Sequence, residues 1–151
     1  MSVEYKKIMI TLDGSDFAAQ ALPHAEMLAQ NLGAELILFR VVQDARDYTE
    51  PIEEGYYRLI EERRQRVADD AMNRMNELVD RLKLQHINAQ AVIEVGHPAA
   101  RIVDYAREHN VDLIVICTHG RTGLARWVYG SVAHSVLQHA PCSVFLIRAE
   151  H

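Results

Sequence analysis

A chain of 151 residues and 17.2 kDa has the usual size of one domain, so we expect a single domain over residues 1–151. Its 49% hydrophobic and 25% charged residues are ordinary for a soluble globular protein, and apolar runs such as residues 113–117 are far shorter than the roughly 18 residues that a membrane span needs. The net charge of −5 and the pI near 5.9 argue against a general nucleic-acid binder, which usually has a basic domain.

Five short apolar runs rich in β-branched residues predict strands near residues 6–12, 34–42, 89–95, 112–117 and 143–148. They alternate with longer segments of helical periodicity, which is typical of crossover units and of a parallel sheet covered by helices on both faces. Only the five residues 8–12 precede the interruption at Asp13, too few for the apolar region of a secretory signal, so we expect a cytoplasmic protein.

The segment after the first strand has the pattern of an amphipathic helix. Ser15 can cap its N-terminus, apolar residues follow at spacings of three and four, and Gly33 is a stop signal. Pro23 lies inside this pattern, where a proline removes a hydrogen bond and clashes with the preceding turn. We therefore expect a kink at Pro23.

A highly charged segment over residues 43–83 predicts a second helix with a solvated face, after a long loop from residue 43 to about residue 55. The residues that this helix is expected to bury are Ile60, Val67, Ala71, Met75, Leu78 and Leu82. A third helix is expected to begin with Pro98 at its first position. Its inward-facing residues are Ile102, Val103 and Ala106.

Residues 117–132 are the most informative stretch, because they follow the fourth strand and run into a helix that begins near Gly130 and Ser131. Their glycines therefore lie at the carboxyl end of a parallel sheet, where ligands bind. Gly120 and Gly123 leave backbone amides accessible, and the helix N-terminus adds free amides and a positive dipole end, so the site suits phosphate. Glycines that serve only the turn and the helix cap are the alternative.

Asp13 and the two cysteines are further candidates. Asp13 can accept hydrogen bonds from ribose hydroxyls or hold a divalent cation, or it can bond the backbone of its own turn. Cys117 and Cys142 have neither zinc-site spacing nor the density of a disulfide scaffold, so we expect two buried thiols. Cys117 ends the fourth strand and Cys142 begins the fifth, and parallel neighbours would separate these ends by roughly 20 Å, so no disulfide is expected. The sequence contains neither the phosphate loop of NTPases nor the Gly-x-Gly-x-x-Gly fingerprint of dehydrogenases.

Four stretches resemble the universal stress protein family, and together they extend over nearly the whole chain. They are residues 8–15 (IMITLDGS), 95–99 (VGHPA), 118–123 (THGRTG) and 130–147 (GSVAHSVLQHAPCSVFLI). The nucleotide-binding branch of that family carries the motif Gly-x2-Gly-x9-Gly-Ser/Thr. Gly120, then nine intervening residues, then Gly130 and Ser131 match its last three elements, whereas Cys117 stands at its first glycine.

The resemblance implies an open, Rossmann-like α/β fold, with five parallel strands in the order 3-2-1-4-5 and a crevice between strands 1 and 4. It also implies binding of ATP or another adenine nucleotide, with magnesium or manganese as a candidate companion of the phosphates. By position, Asp13 would meet the ribose or a metal, and Thr11 and Val41 would lie against the adenine. The other implied binding residues are Cys117, near the ribose, and, towards the phosphates, Thr118, His119, Gly120, Arg121, Gly130, Ser131 and Val132.

Three functions follow as hypotheses. The first is a stress-response or regulatory protein whose bound nucleotide changes its affinity for a protein partner. The second is a slow metal-dependent ATP hydrolase, since only Asp13, His119 and Arg121 offer groups for phosphoryl transfer. The third is an interaction protein of the same family that binds no nucleotide.

We also expect a homodimer formed through the last strand, residues 143–148. A hydrophobic edge strand promotes aggregation unless something covers it, and pairing with its own copy would cover it. The arrangement is also common in the family that the chain resembles. Neither a membrane nor a nucleic acid is expected as a partner.

Overall fold

The chain forms a five-stranded parallel sheet. The structure is a computed structural model and describes residues 2–43, 53–119 and 130–150. The strands are β1 (Lys7–Thr11), β2 (Glu35–Val42), β3 (Ala89–Val95), β4 (Leu113–His119) and β5 (Ser143–Ala149). Their order in the sheet is β3-β2-β1-β4-β5, and all pairs are parallel. The predicted fold and strand order are therefore confirmed, and each predicted strand ends within two residues of the observed one.

The central strand β1 explains why two core layers form. Ile8, Met9 and Ile10 are fully buried, and successive side chains of a strand point to opposite faces of the sheet. Ile8 and Ile10 belong to one apolar cluster, and Met9 belongs to the other. An unbroken apolar run is typical of a parallel strand that is covered on both faces.

The first face of the sheet carries α2 (Leu22–Leu32) and α3 (Glu54–Leu84), and the short helix α1 (Asp16–Ala19) lies between β1 and α2 in the chain. The side chain of Ser15 caps α1 by accepting a hydrogen bond from the Ala18 amide at 3.1 Å. Gly33 ends α2 in the left-handed conformation, with φ 64° and ψ 30°, which confirms it as the stop.

The prediction of one helix with a kink at Pro23 is wrong, because the chain forms two separate helices here. The helix stops at Ala19, and a separate helix starts at Leu22. Pro23 thereby lies in the first turn of α2, where an amide has no partner within the helix and a proline is tolerated. The chain accommodates Pro23 by ending one helix and beginning another.

Helix α3 is longer than the strands that it covers. Its 31 residues span about 46 Å, whereas strands of five to eight residues span roughly 17–27 Å. The buried residues of α3 are Ala71, Met75, Val79 and Leu82. All four lie in its C-terminal half, so residues 54–70 extend beyond the strands.

The predicted buried stripe of α3 is therefore only partly correct. Val67 is 40% exposed, and Ile60 and Leu78 are partly buried. Val79, which was not predicted, is buried instead. The periodicity of the sequence continues along the whole helix, but the sheet does not extend under its N-terminal half.

The second face carries α4 (Pro98–Glu108) and α5 (Ser131–His139). Pro98 is in the first turn of α4, and the three predicted inward residues Ile102, Val103 and Ala106 are buried, which confirms that helix.

Hydrogen bonds to one carboxylate also link the starts of β1 and β4. Asp112, just before β4, accepts hydrogen bonds from the backbone amides of Lys6 and Lys7, both at 2.8 Å. Ile10 lies opposite Val115 in the register of the two strands. Because parallel neighbours that start together run side by side, the carboxyl ends of β1 and β4 lie at the same edge of the sheet.

Both cysteines are free, as predicted. Leu113 lies opposite Ser143 in the β4–β5 register, so Cys117 and Cys142 lie at opposite ends of this strand pair. The expectation that both thiols are buried is only partly correct, because each is partly exposed near an end of its strand.

Over the described ranges, none of the helices combines the length and apolarity that a bilayer crossing requires.

Candidate ligand-binding cleft

A cleft of about 640 Å³ opens at the carboxyl ends of β1, β2 and β4. Strands 1 and 4 are neighbours whose connections leave in opposite directions, which is the position where open α/β sheets hold ligands. The volume is in the range of small-molecule sites, roughly 300–1,000 Å³. The predicted site residues that line the cleft are Thr11, Asp13, Val41, Cys117, Gly130, Ser131 and Val132.

Of the other four predicted residues, Thr118 is the one whose side chain the structure describes, and it does not line the cleft. Thr118 is buried within β4. His119 is the last residue of β4, and only its backbone is described. Gly120 and Arg121 lie outside the described residues, as does Gly123.

Asp13 takes part in the turn that follows β1. Its Oδ1 accepts hydrogen bonds from the Ser15 amide at 2.8 Å and from the Ser15 hydroxyl at 2.5 Å. Asp13 is nevertheless exposed and lines the cleft. Among the described residues, none of the hydrogen bonds uses its Oδ2, so the two roles considered for Asp13, in the turn and towards a ligand, are geometrically compatible.

The turn also brings a cation to the cleft. Gly14 has φ +84°, and a Cβ on it would lie 2.9 Å from Nη1 of Arg40. The positive φ favours glycine here, whereas the guanidinium is the end of a flexible side chain and could move aside. Arg40 lies over the turn that contains Asp13, and it lines the cleft.

The floor of the cleft is apolar. Phe39 and Ile116 are buried, and Val41 and Thr11 are partly buried beside them. The ring of Phe39 packs against the ring of Tyr105, with 4.8 Å between the two centroids. A mostly apolar surface with a few polar groups at its rim is the usual composition of a small-molecule site.

Cys117 lies at the rim between this floor and Asp13. Burial raises the pKa of its thiol above the ordinary value, and the negative charge of Asp13 raises that pKa further. The thiol therefore stays protonated at neutral pH and adds no negative charge to the cleft. Its Sγ is 3.8 Å from the carbonyl oxygen of Thr118.

The N-terminus of α5 forms the opposite rim. Gly130 precedes the helix with φ −53° and ψ 151°, so the turn needs no positive φ at this position. The backbone amides of the first turn have no intrahelical acceptor and carry the positive end of the helix dipole. Ser131 and Val132 thus present amides at the edge of the cleft, an arrangement that suits an anion.

Four residues of α3 also line the cleft, and their role there was not predicted. They are Ile60, Arg63, Arg64 and Val67. Their spacing of three, one and three places them on one helix face. The signal was present in the length of the charged segment, because a helix much longer than a strand must extend past the end of the sheet.

A metal site is not evident in the ranges that the structure describes. No group of three or more His, Cys, Asp or Glu side chains within them could hold a metal ion. Asp13 is the carboxylate that lines the cleft.

Comparisons with known proteins identify the family. The family model described as the universal stress protein family matches residues 4–148. Universal stress protein MJ0531 of Methanocaldococcus jannaschii is 34% identical over 144 residues, which cover 95% of this chain and 82% of that protein. Universal stress protein YxiE of Bacillus subtilis is 31% identical over 147 residues, which cover 95% of this chain and 99% of that protein.

Solved structures agree with this assignment. Universal stress protein UspA from Lactobacillus plantarum has a TM-score of 0.75 and 30% identity, and the match covers 97% of this chain and all of that one. Two more distant structures, one of them from Arabidopsis thaliana, have TM-scores of 0.65 and 0.66 at 23% and 15% identity, and they show the shared fold alone. Because family model and relatives both cover nearly its whole length, the chain belongs to the universal stress protein family.

Proposed function

We propose that this protein binds ATP or another adenine nucleotide in the cleft and acts as a nucleotide-dependent regulator in a stress response. The observation that carries the proposal is the shared lining of the cleft by Asp13, Val41 and the N-terminus of α5. Further support comes from two solved universal stress proteins, one in complex with cAMP and one with AMP bound.

The residues present fit such a ligand. Val41 and Thr11 would contact the adenine ring, since they lie beside the apolar floor. Asp13 would accept a hydrogen bond from a ribose hydroxyl through Oδ2. The amides of Ser131 and Val132 would donate to a phosphate. The negative charge of a bound nucleotide lies on its phosphates, which these amides would contact.

The experiment is isothermal titration calorimetry of the purified chain, freed of small molecules, with ATP, ADP, AMP and cAMP, each with and without magnesium or manganese. We expect at least one adenine nucleotide to bind with 1:1 stoichiometry. Any small molecule that co-purifies should be an adenine nucleotide by mass and absorbance. A folded protein that binds none of the four would contradict the proposal and favour an interaction protein. Phosphate release, followed in parallel, separates a regulator from a slow hydrolase.

We propose in addition that the protein is a homodimer through β5. In the described residues, β5 pairs with β4 on one side and leaves its other edge open, and Phe145 on it is 40% exposed. Sedimentation velocity at micromolar concentration should give a dimer, and Phe145→Lys should shift the species towards the monomer, since it puts a charge at the interface. A monomeric wild type whose β5 amides exchange freely would contradict this arrangement.

A further inference from the structure

The N-terminal half of α3 forms one side of the cleft and has no fully buried side chain over residues 55–70. Ala71, Met75, Val79 and Leu82, in contrast, are packed on the sheet. Ile60 and Val67 nevertheless line the cleft from this overhanging part. The helix face that packs on the sheet at one end therefore faces the cleft at the other.

Two arginines occupy this face between the apolar residues. Arg63 and Arg64 both line the cleft, and they lie between Ile60 and Val67 in the stripe. If this face only packed against protein, apolar residues would be expected at these positions. Guanidinium groups in a cleft are instead typical of sites that bind carboxylate or phosphate.

Arg40 adds a third guanidinium from β2. Its head group lies close to Gly14, the residue after Asp13, and Arg40 lines the cleft. Among the described residues, no ion pair involves Arg40 or Arg63, whereas Arg64 pairs with Glu61. Glu61 is exposed and does not line the cleft.

The described lining of the cleft has a net charge opposite in sign to that of the whole chain. The described lining contains the three arginines against one carboxylate, Asp13, although the whole chain has a net charge of −5. Even with Arg64 neutralised by Glu61, the lining keeps an excess of positive charge. A lining of this kind attracts an anionic ligand more strongly than an uncharged one.

We propose that Arg40, Arg63 and Arg64 form an arginine wall that binds the phosphate groups of the ligand and makes the cleft selective for nucleotides with more phosphates. The inference rests on the proposed nucleotide function and deepens it, because it assigns the charge preference of the site to particular side chains. The arginines reach the cleft from β2 and α3, and the amides of Ser131 and Val132 reach it from α5. Several cationic and amide donors in one cleft favour a chain of phosphates over a single one.

The test compares ATP, AMP and adenosine by calorimetry in three proteins. These are the wild type, the double variant Arg63→Gln/Arg64→Gln, and the control Arg66→Gln. Arg66 is exposed on the same helix and does not line the cleft, so the control removes one charge without touching the wall. Glutamine keeps the helix propensity and much of the side-chain length. Circular dichroism and thermal unfolding establish that each variant is folded.

We expect the wild type to bind ATP at least tenfold more tightly than adenosine. The double variant should lose tenfold or more in affinity for ATP, less for AMP, and under twofold for adenosine, and Arg66→Gln should change none of these more than twofold. Arg40→Gln, measured separately, should show the same order of losses. Equal losses for ATP and adenosine, or no loss for either, would overturn the arginine wall and leave the proposed function standing.

Inorganic tripolyphosphate separates the two proposals when no nucleotide binds. If the wild type binds tripolyphosphate and the double variant does not, the arginine wall stands and the adenine nucleotide function fails. If the wild type binds neither the nucleotides nor tripolyphosphate, both proposals fail.

Discussion

Replacing Gly130 by valine is expected to weaken the binding of adenine nucleotide tenfold or more, on the order of 1.4 kcal/mol or greater. Gly130 precedes α5 at the rim of the cleft, next to the amides of Ser131 and Val132. A branched side chain at this position would intrude where those amides approach a phosphate. Because φ of Gly130 is −53°, the loss would come from the added atoms and not from backbone strain. Calorimetry with the tightest-binding nucleotide measures it.

The opposite sign is expected at Cys117. Cys117→Gly removes a side chain from the rim and restores the first glycine of the motif, so affinity should stay the same or increase. Thermal unfolding of both variants controls for a loss of folded protein. If Gly130→Val binds as tightly as the wild type, the N-terminus of α5 is not the phosphate site. If Cys117→Gly weakens binding, the thiol contributes to the site instead of restricting it.

Phe39→Ala is expected to lower the free energy of unfolding by about 3–5 kcal/mol, the largest effect on stability that we predict. The ring of Phe39 is fully buried on the second face of the sheet and packs against Tyr105 with a centroid distance of 4.8 Å. Its removal leaves a cavity between β2 and α4, and it also removes part of the cleft floor. Urea denaturation followed by circular dichroism gives the stability, and nucleotide affinity should fall as well in the fraction that stays folded.

Tyr56→Ala is the matched control for this change. It deletes an aromatic ring that is 60% exposed in the first turns of α3, and we expect the stability to change by no more than about 0.5 kcal/mol. A loss below about 1 kcal/mol for Phe39→Ala would mean that the site collapses around the missing ring, and that the ring does not hold the floor in place.

The strands could be predicted from the sequence because each is a short run of branched apolar residues between helical segments. Ile8, Met9 and Ile10 illustrate this, since a strand buried on both faces has no polar position to obscure it. The break between α1 and α2 was less predictable. Pro23 indicated that a regular helix could not continue through this position. A kinked helix and a second helix that begins just before the proline differ only in the backbone conformation of the residues before Pro23, which the sequence does not specify.

The candidate site was predictable where it depends on strand ends. Asp13 follows β1, and Gly130 and Ser131 follow β4 in the chain; all three line the cleft, whereas Val41 and Cys117 were expected there from the family resemblance. The arginines Arg63 and Arg64 were read as part of a solvated helix face, because local charge patterns do not reveal what lies opposite a helix. Their place in the cleft depends on the length of α3 relative to the sheet, which is a property of the tertiary structure.

The overhang of α3 separates two kinds of evolutionary constraint within one element. Its C-terminal turns are anchored by Met75, Val79 and Leu82, whose replacement would disturb the core. Its N-terminal turns extend a helix that is already nucleated, so adding or deleting a turn there has little cooperative cost. Each turn moves the rim of the cleft by about 5.4 Å without altering the packing beneath it. The depth of the cleft and its preference among ligands can therefore change during the evolution of this chain while the sheet remains unchanged.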